Sequence, residues 1–223
     1  MTKFRDAQRV QTSLLSRLEK KALVWMAERT PRFINSDHLT ALGLVAMFGA
    51  GFSYWLTSAN PALGLTLATL CLALNWLGDS LDGTLARVRN HLRPRYGFYV
   101  DHVVDMLGAL SLLGGLALSR YMSAPIACGL VIAFFMLSIN CYLATYTLGK
   151  FQISFGGWSP TELRILLAIG NAFLYWKPEA IVFGQKMLVF DVGGAIGIAG
   201  MTVLLLASIA RNTSQLYREE PIA

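Results

Sequence analysis

Four aspartates lie where a membrane protein usually avoids acidic side chains, at the ends of two long apolar stretches: Asp79, Asp82, Asp101 and Asp105. Spacings of three and four place each pair on one face of a helix. Ionisable groups at membrane depth are costly, so they usually face a cavity, pair with another charge or bind a ligand. Four acids directed at one place would repel one another unless a cation neutralised them. Mg²⁺ and Mn²⁺ prefer oxygen ligands of this kind, so the acids predict a divalent-cation site.

The residues between the two acidic pairs suit a phosphate-containing ligand. Gly83 and Ala86 lie one helical turn apart and leave a smooth patch that a ligand or another backbone could approach closely. Arg87 follows them and would suit a phosphate group. Together with the acids, these residues predict a cation-assisted phosphate site at the membrane surface.

Composition places the chain in a bilayer. Of its 223 residues, 55% are hydrophobic and 14% are charged, whereas a soluble domain has about 25% charged residues. The formal charge of +6 does not indicate a nucleic-acid partner, because Lys and Arg cluster beside the apolar stretches, where they can meet anionic headgroups.

Six apolar stretches are each long enough to cross about 30 Å of hydrocarbon. They cover about 38–57, 61–85, 97–119, 123–148, 160–176 and 189–210. Residues 3–29 alternate basic and apolar side chains, which indicates an amphipathic helix on the membrane surface or, alternatively, a helix packed on a partner protein. We expect an all-α polytopic protein with a juxtamembrane helix at 1–32, a membrane domain at 33–212 and a cytoplasmic tail at 213–223.

The distribution of basic residues orients the spans. Lys and Arg are concentrated in the N-terminal segment and in the loop between the second and third spans, and few lie on the opposite side. The positive-inside rule therefore places both termini and the acidic motif in the cytoplasm. We expect the membrane to be a bacterial inner or plasma membrane.

The acidic motif resembles the signature of the CDP-alcohol phosphotransferases. It reads Asp79-x-x-Asp82-Gly83-x-x-Ala86-Arg87, nine residues, then Gly97-x-x-x-Asp101-x-x-x-Asp105, and all eight signature positions are present. The resemblance implies an enzyme that binds a CDP-linked alcohol, moves its phosphate-bearing half onto a hydroxyl acceptor and releases CMP. Many members of the family are homodimers, so a homodimer is also expected.

The resemblance also implies roles for the motif residues. Asp79, Asp82 and Asp101 would be metal ligands, and Asp105 would be a metal ligand, the general base or both. The CDP part of the donor would be held by Asp79, Asp82, Gly83, Ala86, Arg87 and Gly97. We expect Asp105 to be the base, because it lies one turn further into the third span than Asp101.

Two neighbouring residues are further candidates. His102 follows Asp101 and could assist proton transfer, or it could make a local hydrogen bond on the helix surface. Thr40 opens the first span and could lie near the nucleotide, although N-capping of the span by Asp37 is an equal explanation.

Candidates for the acceptor pocket are charged residues outside the motif. A phosphorylated acceptor such as glycerol phosphate or inositol phosphate would suit Arg89, Arg93 and Arg95, which could otherwise bind lipid headgroups or satisfy the charge rule. Glu162 and Arg164 interrupt the fifth span and would either line the acceptor pocket or form an intramembrane salt bridge elsewhere.

The motif alone leaves the substrate open. We favour CDP-diacylglycerol with a small polar acceptor. The pair Asp101-His102 instead resembles choline and ethanolamine phosphotransferases, which use a CDP-aminoalcohol and a lipid hydroxyl such as diacylglycerol. The alternative outside enzymes is a cation transporter with acids on facing helices. A purely structural reading has Asp79 capping a helix and Asp82 paired with Arg87.

Overall fold

The structure, a computed structural model, describes residues 16–149, 160–182 and 184–222. Within them the chain is helical except for short loops and one β-hairpin, so the predicted all-α class is confirmed. The sequence did not predict the hairpin, which consists of β1 (Glu179–Val182) and β2 (Gln185–Leu188). The helices are α1 (Ser16–Arg29), α2 (Ser36–Leu56), α3 (Pro61–Val88), α4 (Pro94–Ala117), α5 (Ala124–Leu148), α6 (Pro160–Leu174) and α7 (Val189–Glu219).

Five of these helices are long and apolar enough to cross a membrane: α2, α3, α4, α5 and α7. The chain is therefore an integral membrane protein. The fifth predicted span corresponds to α6, which has only 15 residues and a length of about 22 Å, shorter than the hydrocarbon layer. The count of six spans stays a prediction. Helix α7 continues to Glu219, beyond the end predicted for the membrane domain at residue 212.

Polar and proline residues set where the helices begin. Asn35 caps α2, and its side chain accepts a hydrogen bond from the backbone N–H of His38 while the His38 ring accepts one in return. Asp37 is therefore inside the helix and is not its cap. Asn60 caps α3 directly before Pro61. At the other end of α5, Gly149 adopts a left-handed conformation with φ of 64°.

Glycines allow α2 to approach both of its neighbours closely. A Cβ atom on Gly78 of α3 would lie 2.6 Å from the carbonyl oxygen of Leu39, and one on Gly115 of α4 would lie 2.0 Å from that of Gly51. Apolar residues of these three helices, among them Ala50 and Leu72, form the main core. Because α2 touches α3 and α4 at backbone distance, the two halves of the acidic motif are brought to the same end of the bundle, which we call the motif end.

Helix α1 is attached to the bundle at the motif end. Its residues Leu23 and Ala27 are buried against Leu81 and Leu85 of α3. The Glu19 carboxylate accepts hydrogen bonds from Trp76 of α3 at 2.8 Å and from Thr161 of α6 at 2.9 Å. Lys21 and Trp25 lie on the opposite face of α1 and are exposed, and the Trp25 side chain is 57% exposed. The helix predicted over residues 3–29 is confirmed from Ser16 to Arg29, residues 1–15 lie outside the described ones, and its placement on the membrane surface stays a prediction.

We expect Gly115→Ala to destabilise the bundle by about 1–3 kcal/mol, because the added methyl group would overlap the carbonyl of Gly51. The measurement is the melting temperature in detergent micelles. Gly114→Ala is the matched control, since nothing lies within 4 Å of a Cβ at that position and alanine favours helix. An equal loss of stability in both variants would contradict the close packing of α2 against α4.

Candidate active site

The structure places the four motif aspartates on two adjacent helices at the motif end. Asp79 and Asp82 lie in the last turns of α3, and Asp101 and Asp105 lie in the first turns of α4. Asp105 is close enough to the other three to experience their negative charge. This interaction supports the sequence-based prediction that the two acidic pairs lie close together.

Asp82 is held by α2 and by its own helix. Its side chain is buried, with 8% exposure. One carboxylate oxygen accepts a hydrogen bond from the Thr40 hydroxyl at 2.7 Å, and the other accepts one from the backbone N–H of Gly83. Thr40 thus contacts the acidic cluster, and its predicted place near the nucleotide stays a prediction. The contact depends on the close approach of α2 to α3 at Gly78.

Asp79 is paired with a cation from the other side of the bundle. The Arg164 guanidinium of α6 donates a hydrogen bond to the Asp79 carboxylate at 2.7 Å. The Arg164 side chain is only 14% exposed. Its second terminal nitrogen, Nη1, is buried and has no hydrogen-bond partner among the described residues. Arg164 therefore offsets one carboxylate and retains a donor within the site.

Asp105 differs from Asp79 and Asp82 in its hydrogen bonding. It is exposed at the surface of the site. Within the described parts of the chain, its carboxylate accepts no hydrogen bond, and the charge of Arg164 partly offsets those of the neighbouring acids. A carboxylate without a competing donor is available to accept a proton from a ligand.

His102 lies among aromatic side chains. Its Nδ1 atom contacts the Phe98 carbonyl oxygen one turn earlier, and its ring centroid is 4.2 Å from that of Phe98. The Tyr142 ring of α5 meets His102 edge-on at 4.8 Å. These contacts match the local hydrogen bond considered from the sequence, and the proton-transfer role stays a prediction. Sequence reasoning missed Tyr142, whose only signal was a polar ring in an otherwise apolar stretch.

The surface around the predicted nucleotide platform is open. A Cβ atom on Gly83 would meet only the guanidinium nitrogens of Arg87, at 3.8 and 3.9 Å, and one on Gly97 would meet nothing within 4 Å. The fold therefore does not require glycine at either position. Arg87 donates a hydrogen bond to the Thr84 hydroxyl at 3.1 Å, not to Asp82.

A cavity of about 360 Å³ lies beside the acids, between the start of α2 and the end of α3. Ala86 contributes to its wall, and the complete lining is Asn35, Ser36, Asp37, Leu85, Ala86, Arg89, His91, Leu92 and Arg93. The cavity does not include the four aspartates. It is adjacent to them through Ala86, which follows Asp82 by one helical turn.

Two of the arginines predicted for the acceptor are tied to the protein itself. Arg89 donates to the carbonyl oxygens of Thr30, Pro31 and Ile34. Arg93 pairs with Asp37, and this hydrogen bond raises the pKa of the Arg93 guanidinium. Their contacts link α1, α2 and the connector before α4.

The remaining acceptor candidates lie on different sides of the motif end. Arg95 is exposed in the first turn of α4, whereas Glu162 is partly buried in α6, two residues before Arg164. Their acceptor roles, like those of Arg89 and Arg93, stay predictions.

Known proteins are similar to this chain over most of its length. The family model for CDP-alcohol phosphatidyltransferases matches residues 34–209. The chain belongs to the CDP-alcohol phosphatidyltransferase family. It is 25% identical over 177 residues to an archaetidylinositol phosphate synthase from Pyrococcus horikoshii, a match that covers 79% of this chain and 78% of the relative. The chain is therefore a membrane transferase of phospholipid synthesis and not a transporter.

Members of the CDP-alcohol phosphatidyltransferase family generally use divalent metal ions, and the donor set of this chain fits such an ion chemically. Four carboxylates offer the hard oxygen ligands that Mg²⁺ and Mn²⁺ prefer. Across residues 16–149, 160–182 and 184–222, however, no three acidic, histidine or cysteine side chains are close enough together to hold an ion as they stand. Binding would require side-chain adjustment, beginning with the Asp79 carboxylate that now contacts Arg164.

We expect Thr40→Val to lower the stability of the protein by about 1–3 kcal/mol, because the buried Asp82 carboxylate would lose its hydroxyl donor. Valine has nearly the shape of threonine, so packing is retained. The measurement is the melting temperature in detergent micelles. Thr40→Ser preserves the hydroxyl and serves as the control. If the valine variant were as stable as the serine variant, the hydrogen bond would not hold Asp82 in place.

Proposed function

We propose that this chain transfers the phosphatidyl group of CDP-diacylglycerol to a hydroxyl group of a small phosphorylated acceptor and releases CMP. The observation that carries the proposal is the buried Arg164 guanidinium directed at the acidic motif, 2.7 Å from Asp79. The acids alone would suit any donor of the family. A cation with an unused buried donor among the described residues adds a place for a second anionic group.

The space at the motif end supports binding of the CDP part of the donor. The cavity beside Ala86 and the open surface over Gly83 adjoin each other on α3. We place the nucleotide there, with its diphosphate facing Asp79, Asp82 and Arg87. The lipid chains of the donor would remain in the bilayer, since the motif lies at the ends of membrane-spanning helices.

A phosphorylated acceptor is favoured by charge. Arg164 approaches the acids from α6, on the face of α3 that carries Asp79. A phosphate on the acceptor would accept hydrogen bonds from its guanidinium and so be placed beside the diphosphate of the donor. The Pyrococcus horikoshii relative is named for the synthesis of archaetidylinositol phosphate, a lipid product with a phosphate on its headgroup.

The transfer itself needs one proton acceptor. The acceptor hydroxyl oxygen forms a bond to the β-phosphorus, the bond from that phosphorus to the bridging oxygen breaks, and CMP leaves with the bridging oxygen. The hydroxyl proton passes to a carboxylate, for which we propose Asp105 because it is exposed and accepts no hydrogen bond from the described residues. Arg164 and Arg87 orient the anionic groups and offset their charge.

We propose Asp79, Asp82, Asp101 and Asp105 as the residues that would hold Mg²⁺ or Mn²⁺. When bound, such an ion supplies positive charge that offsets the diphosphate and makes CMP a better leaving group. Two features of the site agree with a requirement for added cations. Asp79 is paired with Arg164 but lies near three further acids, and the donor is itself an anion.

We also propose that both termini and the motif end face the cytoplasm, where nucleotide substrates are available. The basic residues flanking the motif end support this orientation. Protease accessibility of the two termini in sealed membrane vesicles would test it.

The function is tested with purified protein in detergent micelles, with release of CMP as the readout. Wild type should release CMP from CDP-diacylglycerol when glycerol phosphate or inositol phosphate is present. Asp105→Asn should reduce turnover at least ~10³-fold while the melting temperature is retained, because the amide cannot take the proton. Asp191→Asn, a matched change at the opposite end of the bundle, should retain full turnover.

Two outcomes would overturn parts of this proposal. Release of CMP only from CDP-ethanolamine or CDP-choline with diacylglycerol would place the lipid on the acceptor and favour the aminoalcohol transferases. Normal turnover by Asp105→Asn would remove Asp105 as the base.

We expect chelation of divalent cations to reduce CMP release to background, because the acidic site and the donor diphosphate would then repel each other. Addition of Mg²⁺ or Mn²⁺ should restore the rate, whereas the same concentration of a monovalent salt should not. Full activity after thorough chelation would contradict a metal-dependent reaction.

A further inference from the structure

Helix α6 delivers Arg164 to the active site, and its apolar packing is confined to one face, where Leu167 and the buried Leu174 join the main core. Its described contacts are mainly with α3, and large side chains on its other faces are exposed, including Leu163, Leu166, Ile169 and Phe173. Lipid is as apolar as these side chains, so hydrophobic contact does not fix how far α6 is shifted along α3. Polar contacts between the helices, which are directional, therefore add to the apolar contacts of Leu167 and Leu174 in setting that position.

A row of polar contacts runs along one face of α6, which we call the α6 polar seam. Near the motif end, Thr161 contacts Glu19 and Arg164 contacts Asp79. Deeper in the bundle, Asn171 contacts both Tyr54 and Thr69. Beyond the end of the helix, the Tyr175 hydroxyl donates to the Ala62 carbonyl at 2.8 Å and lies 2.6 Å from the Thr66 hydroxyl.

Asn171 is the most buried member of the seam, with 1% exposure. Its amide oxygen accepts a hydrogen bond from the Tyr54 hydroxyl at 2.8 Å, and its amide nitrogen donates one to the Thr69 hydroxyl at 3.1 Å. Tyr54 belongs to α2 and is itself fully buried. One side chain of α6 is therefore bonded to two helices of the core at once.

The position of Asn171 links it to Arg164. The two residues are seven positions apart, which is about two helical turns, so they lie on the same face of α6. A shift of α6 by one turn would displace the guanidinium by about 5.4 Å from Asp79. The same shift would leave a buried amide and a buried tyrosine hydroxyl without partners, at a cost of about 1–3 kcal/mol for each group. The contacts of Asn171 therefore oppose any shift that moves Arg164.

We infer that Asn171 is a positioning residue for the transfer reaction, which holds α6 in the register that keeps the Arg164 guanidinium beside Asp79. The inference rests on the proposed function, in which Arg164 binds the phosphate of the acceptor. Asn171 itself touches no reacting group. It affects the reaction indirectly, because it fixes the position of α6 along the axes of α2 and α3 and therefore the position of Arg164.

The kinetic test compares Asn171→Leu with wild type, and each substrate is varied in turn while the other is saturating. The variant should raise the KM for the phosphorylated acceptor about tenfold and leave the KM for CDP-diacylglycerol unchanged, since only Arg164 is displaced. Asn140→Leu is the matched control. Asn140 of α5 donates a hydrogen bond to Ser208 of α7 at 2.8 Å, so its loss also removes one polar contact between helices, but away from α6.

A double-mutant cycle separates positioning from a general loss of stability. Arg164→Ala alone should raise the acceptor KM, and adding Asn171→Leu to it should raise that KM no further. Independent, multiplicative effects of the two changes would overturn the inference. So would an Asn171→Leu variant with a lower melting temperature and an unchanged acceptor KM.

A structural measurement tests the inference independently of the proposed function. Spin labels at Ile169→Cys on α6 and Leu110→Cys on α4, both exposed positions, report the register of α6 in a background without the native cysteines. Asn171→Leu should shift or broaden the label distance by roughly 1.5–5 Å, the rise of one residue to one turn, and Asn140→Leu should not. An unchanged distance would overturn the inference even if wild type is active, whereas a shifted distance in a protein that releases no CMP would count against the proposed function alone.

Discussion

Charge compensation at the motif end is the constraint on which the rest of the structure depends. Carboxylates placed at the ends of membrane-spanning helices are stabilised by charge or hydrogen-bond partners. Asp79 has the guanidinium of Arg164, and Asp82 has the Thr40 hydroxyl and the Gly83 amide. Arg164 comes from α6 and Thr40 from α2, whereas the Gly83 amide belongs to α3 itself, so the acidic pair on α3 depends on a bundle that brings both additional helices to it.

The close packing of α2 follows from this requirement. A threonine side chain is short, and the Thr40 hydroxyl reaches Asp82 only because Gly78 lets the α2 backbone approach α3 directly. Gly51 and Gly115 bring α4 equally close on the other side. These glycines carry no catalytic group. Because they allow the helices to pack closely, they nevertheless determine how near the two acidic pairs lie to each other.

The sequence predicted the features that depend on neighbouring residues. Apolar length predicted α2, α3, α4, α5 and α7, and the fixed spacing of the aspartates predicted their shared location. It could not show that Arg89 would bind the backbone between α1 and α2, 55 to 59 positions away, or that Arg93 would bind Asp37, 56 positions away. The contact of Asn171 with Tyr54 spans 117 positions, and the four-residue strands of the hairpin are too short to produce a distinct pattern. Contacts between residues far apart in the sequence could therefore not be predicted. This holds even for Arg164, which was a candidate for the acceptor pocket but whose contact with Asp79 was not foreseen.

The contact between Arg164 and Asp79 has a consequence for the order of events under the proposed function. With Arg164 in place, Asp79 is neutralised and is a poor ligand for a second cation. A divalent ion held by Asp79 and the other acids would supply the positive charge that Arg164 now supplies, and the guanidinium would then be available to the phosphate of the acceptor. Arg164 can exchange the Asp79 carboxylate for a neighbouring phosphate by moving its side chain alone. This exchange requires that α6 keep its position along α3. The proposed function therefore requires both the α6 polar seam, which fixes the position of α6, and an ion pair with Asp79 that Arg164 can leave.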